Sequence, residues 1–274
     1  MKPSSRPFVA AKASLIGGRD CNQDRCFFLD SGDSILLGLA DGLGGHPRGE
    51  VAAQLLQDVS ETLFRREDKP LAEPQRFMLR CIGKAHRAIR RFGQRQAPPI
   101  VPRTTAVMAL IQGGVAHWVH VGDSRLYFIR EGRVLTRTRD HAHVEFLHRS
   151  SEQGPRARAS LTRCLGGLDE PPLTTCGPPT ALRPGDALLL CSDGLWGQLN
   201  ADALVSLFDN RGESLEHRLP HLVEKASLMP QSDNVTAVAL QWRHPANPID
   251  NPAMTTESRA ADRPSPMQPT ESEP

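Results

Sequence analysis

The chain has 274 residues, 39% of them hydrophobic, which suffices for one well-buried core and points to one or two domains. Its 33 basic and 31 acidic residues leave a formal charge of +2, which gives no reason to expect nucleic acid or an anionic membrane as partner. No stretch approaches the roughly 20 apolar residues that span a bilayer, and Met1 to Arg6 lead into no apolar signal core of roughly 7–15 residues, so a cytoplasmic location is expected.

Phe8 to Ile16 predict a first strand and Cys26 to Leu29 a second. The apolar run Ile35 to Ala40 stops at Asp41-Gly42 and has the length of a strand covered on both faces. The period then changes. Val51, Leu55, Leu56, Val59 and Leu63 recur at helical spacing between Gly49 and Arg66. Phe77, Met78, Cys81, Ile82, Ala85, Ile89 and Phe92 mark a second helix. Both stripes read as core-facing sides.

After the loop Pro98 to Pro102, strands are expected over Thr104 to Ile111, Val115 to Val121, Arg125 to Arg130 and Val134 to Thr138. Gly113-Gly114 and Glu131-Gly132 stand where hairpin turns belong. Arg149 to Ser160 reads as an exposed polar loop. Asp186 to Ser192 is a second buried run that ends at Asp-Gly. Leu215, Leu219, Leu222, Val223 and Ala226 mark a late helix, and Val235 to Trp242 a closing strand. Residues 1–242 therefore read as one domain. Residues 243–274 carry seven prolines and no aromatic side chain, and are expected to be a disordered tail. Blocks of strands and of helices, without strict βαβ alternation, predict a layered α+β fold. The six cysteines form no C-x-x-C pair, and most read as small packing residues.

The chemistry lies in where the aspartates fall. Asp41 and Asp193 each follow a buried run and each precede a glycine; Asp123 follows Trp118 to Gly122; Asp233 stands just before the last strand. A carboxylate at a strand end is held by rigid backbone, and a following glycine lets a ligand approach closely. Several such groups at one sheet edge repel one another, and a hard divalent cation with oxygen ligands resolves the repulsion. A single Asp-Gly pair is more often an ordinary turn; two after buried runs, with further aspartates beside other strands, shift the balance. Arg19, near the first strand, offers a fork of donors that matches phosphate. Asp24 lies five residues later.

Other candidates read blandly. His141 and His143 share one face of a strand, not of a helix. Gly42 to Gly49 lacks the Gly-Lys-Ser/Thr ending of a phosphate loop. Ser124 lacks the glycine-flanked elbow of serine esterases.

Taken together, Arg19-Asp20-Cys21-Asn22-Gln23-Asp24, Asp41-Gly42-Leu43-Gly44-Gly45-His46, Thr104-Thr105 and Gly122-Asp123-Ser124-Arg125 resemble the motifs of the metal-dependent, type 2C serine/threonine protein phosphatases. So do Thr138-Arg139-Asp140-His141, Leu161 to Gly166, Ser192 to Trp196 and Ser232 to Thr236, in the family's order and across roughly Phe8 to Trp242. The motif style resembles bacterial members. The resemblance implies a four-layer αββα sandwich, two antiparallel sheets face to face with helices outside. It implies that Asp41 bridges two Mn²⁺ or Mg²⁺ ions with the Gly42 carbonyl on one, and that Asp193 and Asp233 bind the other. By the same resemblance Asp24 is a ligand or orients water, Asp123 joins Asp193 at a third ion, and Arg19 clamps phosphate.

There are departures from the family pattern. Gln23 replaces a glutamate of many members, and Leu43 a histidine of eukaryotic ones, which leaves His46 or water as candidate general acid. His141-Ala142-His143 departs from the usual Asp-His-Ser, and Arg149 to Ser160 is shorter than the usual flap. The implied partners are phosphorylated proteins and an opposing serine/threonine kinase, for a monomer that binds neither nucleic acid nor membrane. The alternatives are a non-catalytic phosphoprotein-binding module of the same fold, against which intact Asp41, Asp193 and Asp233 speak, and a hydrolase of small phosphoesters.

Overall fold

Apolar runs too short for helices and buried on both faces become the central strands of two sheets. The computed structural model describes residues 6–147, 156–167, 169–209 and 212–243; the expected tail, apart from Arg243, lies outside the described residues. The strands are β1 (Phe8–Leu15), β2 (Arg25–Asp30), β3 (Ser34–Ala40), β4 (Ala106–Gln112), β5 (Val115–Val121), β6 (Arg125–Arg130), β7 (Arg133–Arg137), β8 (Ala142–Leu147), β9 (Arg156–Leu161), β10 (Thr175–Cys176), β11 (Thr180–Ala181), β12 (Ala187–Cys191) and β13 (Val235–Trp242). The helices are α1 (Gly49–Arg66), α2 (Pro74–Gln94), α3 (Asp193–Trp196), α4 (Ala201–Ser206) and α5 (Leu215–Ser227).

One antiparallel sheet has the order β1-β13-β12-β6-β7, the other β10-β5-β4-β3-β2 with β11 also on β5. Alternation then builds the layers. Leu37, Leu39, Val107, Ala109, Leu188, Leu190, Val238 and Leu240 point inward and fill the space between the sheets around Phe128. Their neighbours Leu36, Met108 and Leu110 face outward and meet Leu56, Phe77, Met78 and Ile82 of α1 and α2. On the opposite outside, Leu189, Ala237 and Ala239 meet Leu204, Leu219 and Val223 of α4 and α5. The result is the αββα sandwich that the motifs imply. All residues of β3 and of β12 are buried because each has a sheet on one side and helices on the other.

The loop expected over Arg149 to Ser160 needs correction: Arg156 to Ser160 belong to β9, which pairs with β8 as a separate hairpin outside both sheets. The alternation Arg-Ala-Arg-Ala has the period of a strand, but contains no apolar run to mark it.

Gly38 shows how tightly the helix-covered face is filled. It stands opposite Phe27 in the β2–β3 ladder, and a Cβ added there would lie 2.0 Å from the Phe27 ring. We therefore expect Gly38→Ala to cost about 1–3 kcal/mol by overpacking. In urea unfolding, the double variant with Phe27→Leu should lose clearly less than the sum of the single losses, because the smaller side chain makes room.

Candidate active site

The carboxylates meet where strand ends from both sheets open onto a cavity of about 290 Å³. Asp41 leaves β3, Asp193 follows β12 as the first residue of α3, Asp123 lies in the β5–β6 turn, and Asp233 precedes β13. Arg19, Asp41, Gly42, Asp123, Asp193 and Asp233 all line the cavity. Asp24 is 2% exposed and does not line it; both of its carboxylate oxygens are buried without a hydrogen-bond partner.

Backbone contacts fix these positions. The Asp41 N–H donates to Thr105 Oγ1 (3.0 Å), and its carbonyl accepts from the Thr105 N–H (2.8 Å) and the Thr104 hydroxyl (2.9 Å). Gly42 passes so close to the start of α1 that an added Cβ would lie 2.5 Å from the Gly49 carbonyl carbon, so only glycine fits. Asn234 ties three segments together. Its Oδ1 accepts from the Gln23 N–H (2.8 Å), and its amide donates to the carbonyls of Ile16 (2.8 Å) and Cys21 (3.0 Å).

The turn that carries Asp123 is held from two sides. The Trp196 indole N–H donates to the Asp123 carbonyl (3.1 Å). The Gly122 N–H donates to His141 Nδ1 (3.2 Å), while the His141 N–H donates to the Gly122 carbonyl (2.9 Å). Arg125 lies 3.4 Å from the centre of the Trp196 ring and makes a two-pronged pair with Asp140 at 2.8 and 2.7 Å. The motifs quoted for the family contain Asn234, Trp196 and His141, but the sequence assigns none of them a role in holding the site. Their spacing contains no signal for these bonds, which arise only when distant segments meet.

Electrostatics dominate the cavity. Burial, and next the charges of Asp193 and Asp233, push the Asp24 carboxyl up to about 7 against the lowering influence of the Thr236 and Ser192 hydroxyls. Burial and the Asp193 charge likewise push Asp123 to about 7. Asp41 is held well above the carboxylate range by burial and then by Asp24, Asp193, Asp123 and Asp233. Burial and the Asp233 charge raise Asp193, although a hydrogen bond with Asp41 opposes the shift. The cation that reaches this group is Arg19, whose Nη2 donates to Asp233 at 2.5 Å.

His46 is a correction. Its N–H closes a turn onto the Leu43 carbonyl (3.3 Å), which leaves Gly44 and Gly45, and not the imidazole, at the cavity wall. Burial and the nearby Arg103 charge lower its pKa.

Among the described residues, no three His, Cys, Asp or Glu side chains already stand as a finished coordination shell. The fit to a divalent cation rests instead on donor chemistry. The donors are hard oxygens, the two oxygens of Asp24 are orphaned, and the carboxylates that gather here repel.

A family model described as Protein phosphatase 2C matches residues 13–225. The chain is 26% identical over 238 residues to a putative protein phosphatase 2C-type of Streptococcus pyogenes, spanning 83% of this chain and 94% of that one. It is 31% identical over 211 residues to the serine/threonine protein phosphatase PstP of Mycobacterium tuberculosis, spanning 74% of this chain and 39% of PstP. The crystal structure of the catalytic domain of PstP in complex with two manganese ions superposes with a TM-score of 0.66 at 27% identity, covering 86% of this chain and 98% of that domain.

The raised carboxyls set the pH dependence of stability. A carboxyl at about 7 in the fold and 3.8 as its ordinary value stabilises the fold below the lower figure and loses that contribution as pH rises through the upper one. Protein in excess chelator should therefore melt at progressively lower temperature from pH 4 to pH 7. Mn²⁺ or Mg²⁺ should restore the loss most strongly at the upper end. A melting temperature flat across this window, with and without cation, would count against the clustered carboxylates.

Proposed function

Since the chain belongs to the protein phosphatase 2C family and is a serine/threonine protein phosphatase acting on phosphorylated proteins, we propose that the carboxylates of this cavity, with Arg19, carry its catalysis. The observation that supports this is the convergence of Asp41, Asp123, Asp193 and Asp233 from four separate strand ends onto one cavity in which Arg19 is paired to Asp233.

In this reading Asp41, the Gly42 carbonyl, Asp193 and Asp233 would hold two Mn²⁺ or Mg²⁺ ions. Asp123 with Asp193 would hold a third ion. The manganese complex of PstP favours Mn²⁺. When bound, such ions lower the pKa of water and neutralise phosphoryl charge. The two buried, unpartnered oxygens of Asp24 lie behind the cavity lining and would serve as a ligand or orient a bound water. Arg19 presents its guanidinium to the phosphoryl oxygens, exchanging a carboxylate partner for a phosphate of similar geometry. Hydrolysis proceeds by in-line attack of water, with no protein nucleophile. With His46 outside the cavity wall, the leaving serine or threonine oxygen takes its proton from water.

Substrates of this kind require an opposing serine/threonine kinase. No helix of the described residues is long and apolar enough to cross a membrane. We read the protein as a cytoplasmic monomer in signalling, with residues 1–242 as its catalytic unit.

Phosphate release from a phosphothreonine peptide tests the assignment. Turnover should require Mn²⁺ or Mg²⁺ and vanish in excess chelator. Asp193→Asn should lower kcat/KM by roughly 10²–10³, and Arg19→Lys by about tenfold or more, since a point charge does not replace the fork. His46→Ala should stay within about twofold of the parent. A folded protein inactive with every divalent cation would favour the binding-module alternative.

A further inference from the structure

The outer face formed by α1 and α2 carries a groove of about 430 Å³, and none of its lining residues belongs to the cavity described above. Its apolar part is Val59, Leu63 and Ala88. Arg66, Lys84, Arg87 and Arg91 stand around it, all exposed, against the single carboxylate of Asp58.

The distribution of ion pairs distinguishes these cations from their neighbours. The segment Pro74–Gln94 contains six basic residues and no acidic one. Arg76, Arg80 and Arg90 are neutralised by Glu73, Glu67 and Asp169. On α1, Arg65 is paired with Glu61. Among the described residues, the four cations of the groove have no such partner. Lys84 and Arg87 are three apart and Arg87 and Arg91 four apart, so the helix also bears a repulsive row that costs a few tenths of a kcal/mol per pair. An anionic occupant would relieve it.

The lining also narrows the class of occupant. No aromatic side chain lines the groove for a base to stack on, which disfavours single-stranded nucleic acid. The apolar residues lie within a concave surface between two helices, not on an amphipathic crest that could enter a bilayer. A peptide that alternates acidic and aliphatic residues satisfies both the rim and the apolar part. We propose that this groove is a docking surface for an acidic, partly aliphatic peptide segment of a partner protein. The proposal is independent of the catalytic assignments.

The test uses the full chain and a short fluorescein-labelled peptide of alternating Glu and Leu, followed by anisotropy. The variant Lys84→Glu/Arg91→Glu replaces two like-charge neighbours of Arg87 by opposite charges, which keeps the helix and reverses the net charge of the groove. We expect affinity for the peptide to fall by about tenfold or more in this variant, a loss of at least about 1.4 kcal/mol. It should fall with added salt and be lost when Gln replaces Glu in the peptide. Arg133→Glu, an exposed change on β7, should leave it intact. Hydrolysis of p-nitrophenyl phosphate should be the same in all three proteins. Equal binding by parent and groove variant would overturn the proposal. So would failure of the parent to bind the peptide, or tighter binding of a single-stranded oligonucleotide or of phosphatidylglycerol vesicles.

Discussion

The mutual repulsion of carboxylates gathered at one end of the sandwich is the constraint that the local architecture answers. Each of Asp24, Asp41, Asp123 and Asp193 is raised first by burial and then by the charge of its neighbours. For Asp24 and Asp123, each near 7 against an ordinary 3.8, this opposes folding near neutral pH by roughly a few kcal/mol, against a total stability of roughly 5–15 kcal/mol for a domain. Such a cluster persists only where the backbone around it is over-determined. Three apolar layers, one between the sheets and one under the helices on either side, supply that rigidity.

The rigidity reaches the site through a small number of bonds. Thr105 grips the backbone of Asp41 from both sides of its peptide unit, and its hydroxyl also meets Ser124 in the Asp123 turn at 2.7 Å. One threonine therefore couples the ends of β3, β4 and β5. Asn234 does the same for the loop after β1 and the start of β13. Arg19 is held on Asp233, which is itself next to Asn234, so the cation and the carboxylates share one frame. Displacement of any strand end would move more than one of the groups that face the cavity.

These facts also explain what was legible in the sequence. The aspartates announced themselves because a strand covered on both faces is a continuous apolar run, and whatever ends it is conspicuous. Asp41 after β3 and Asp193 after β12 follow this rule. The bounds of α1 and of β5, β6 and β13 were equally readable from periodicity and turn residues. His46 was misplaced because proximity along the chain to Asp41 says nothing of which side of a turn faces the cavity. Trp196 and His141 read blandly in the sequence because their role is a bond to the backbone of a turn far away in sequence. Strand β9 was missed because it joins neither main sheet and so lacks the apolar run that betrays a buried strand.

Net charge was the least informative quantity. A total of +2 is the difference of 33 and 31 charges, and it conceals two surfaces of opposite character. At one end, carboxylates outnumber the single guanidinium that pairs with them, and repel a phosphate until cations compensate them. On the flank, α2 carries six basic residues with no acid of its own. At physiological ionic strength fields decay over about 8 Å, so groups farther apart than that do not average. A charged partner at one surface is therefore largely screened from charges beyond that distance. Excluding charged partners from a balanced composition therefore holds only for a surface on which the charges are mixed. Here ion pairing among neighbours removes Arg76, Arg80 and Arg90 from the flank but leaves Lys84, Arg87 and Arg91. What a partner encounters is the unpaired remainder, a quantity that requires the structure because it depends on which helices lie side by side.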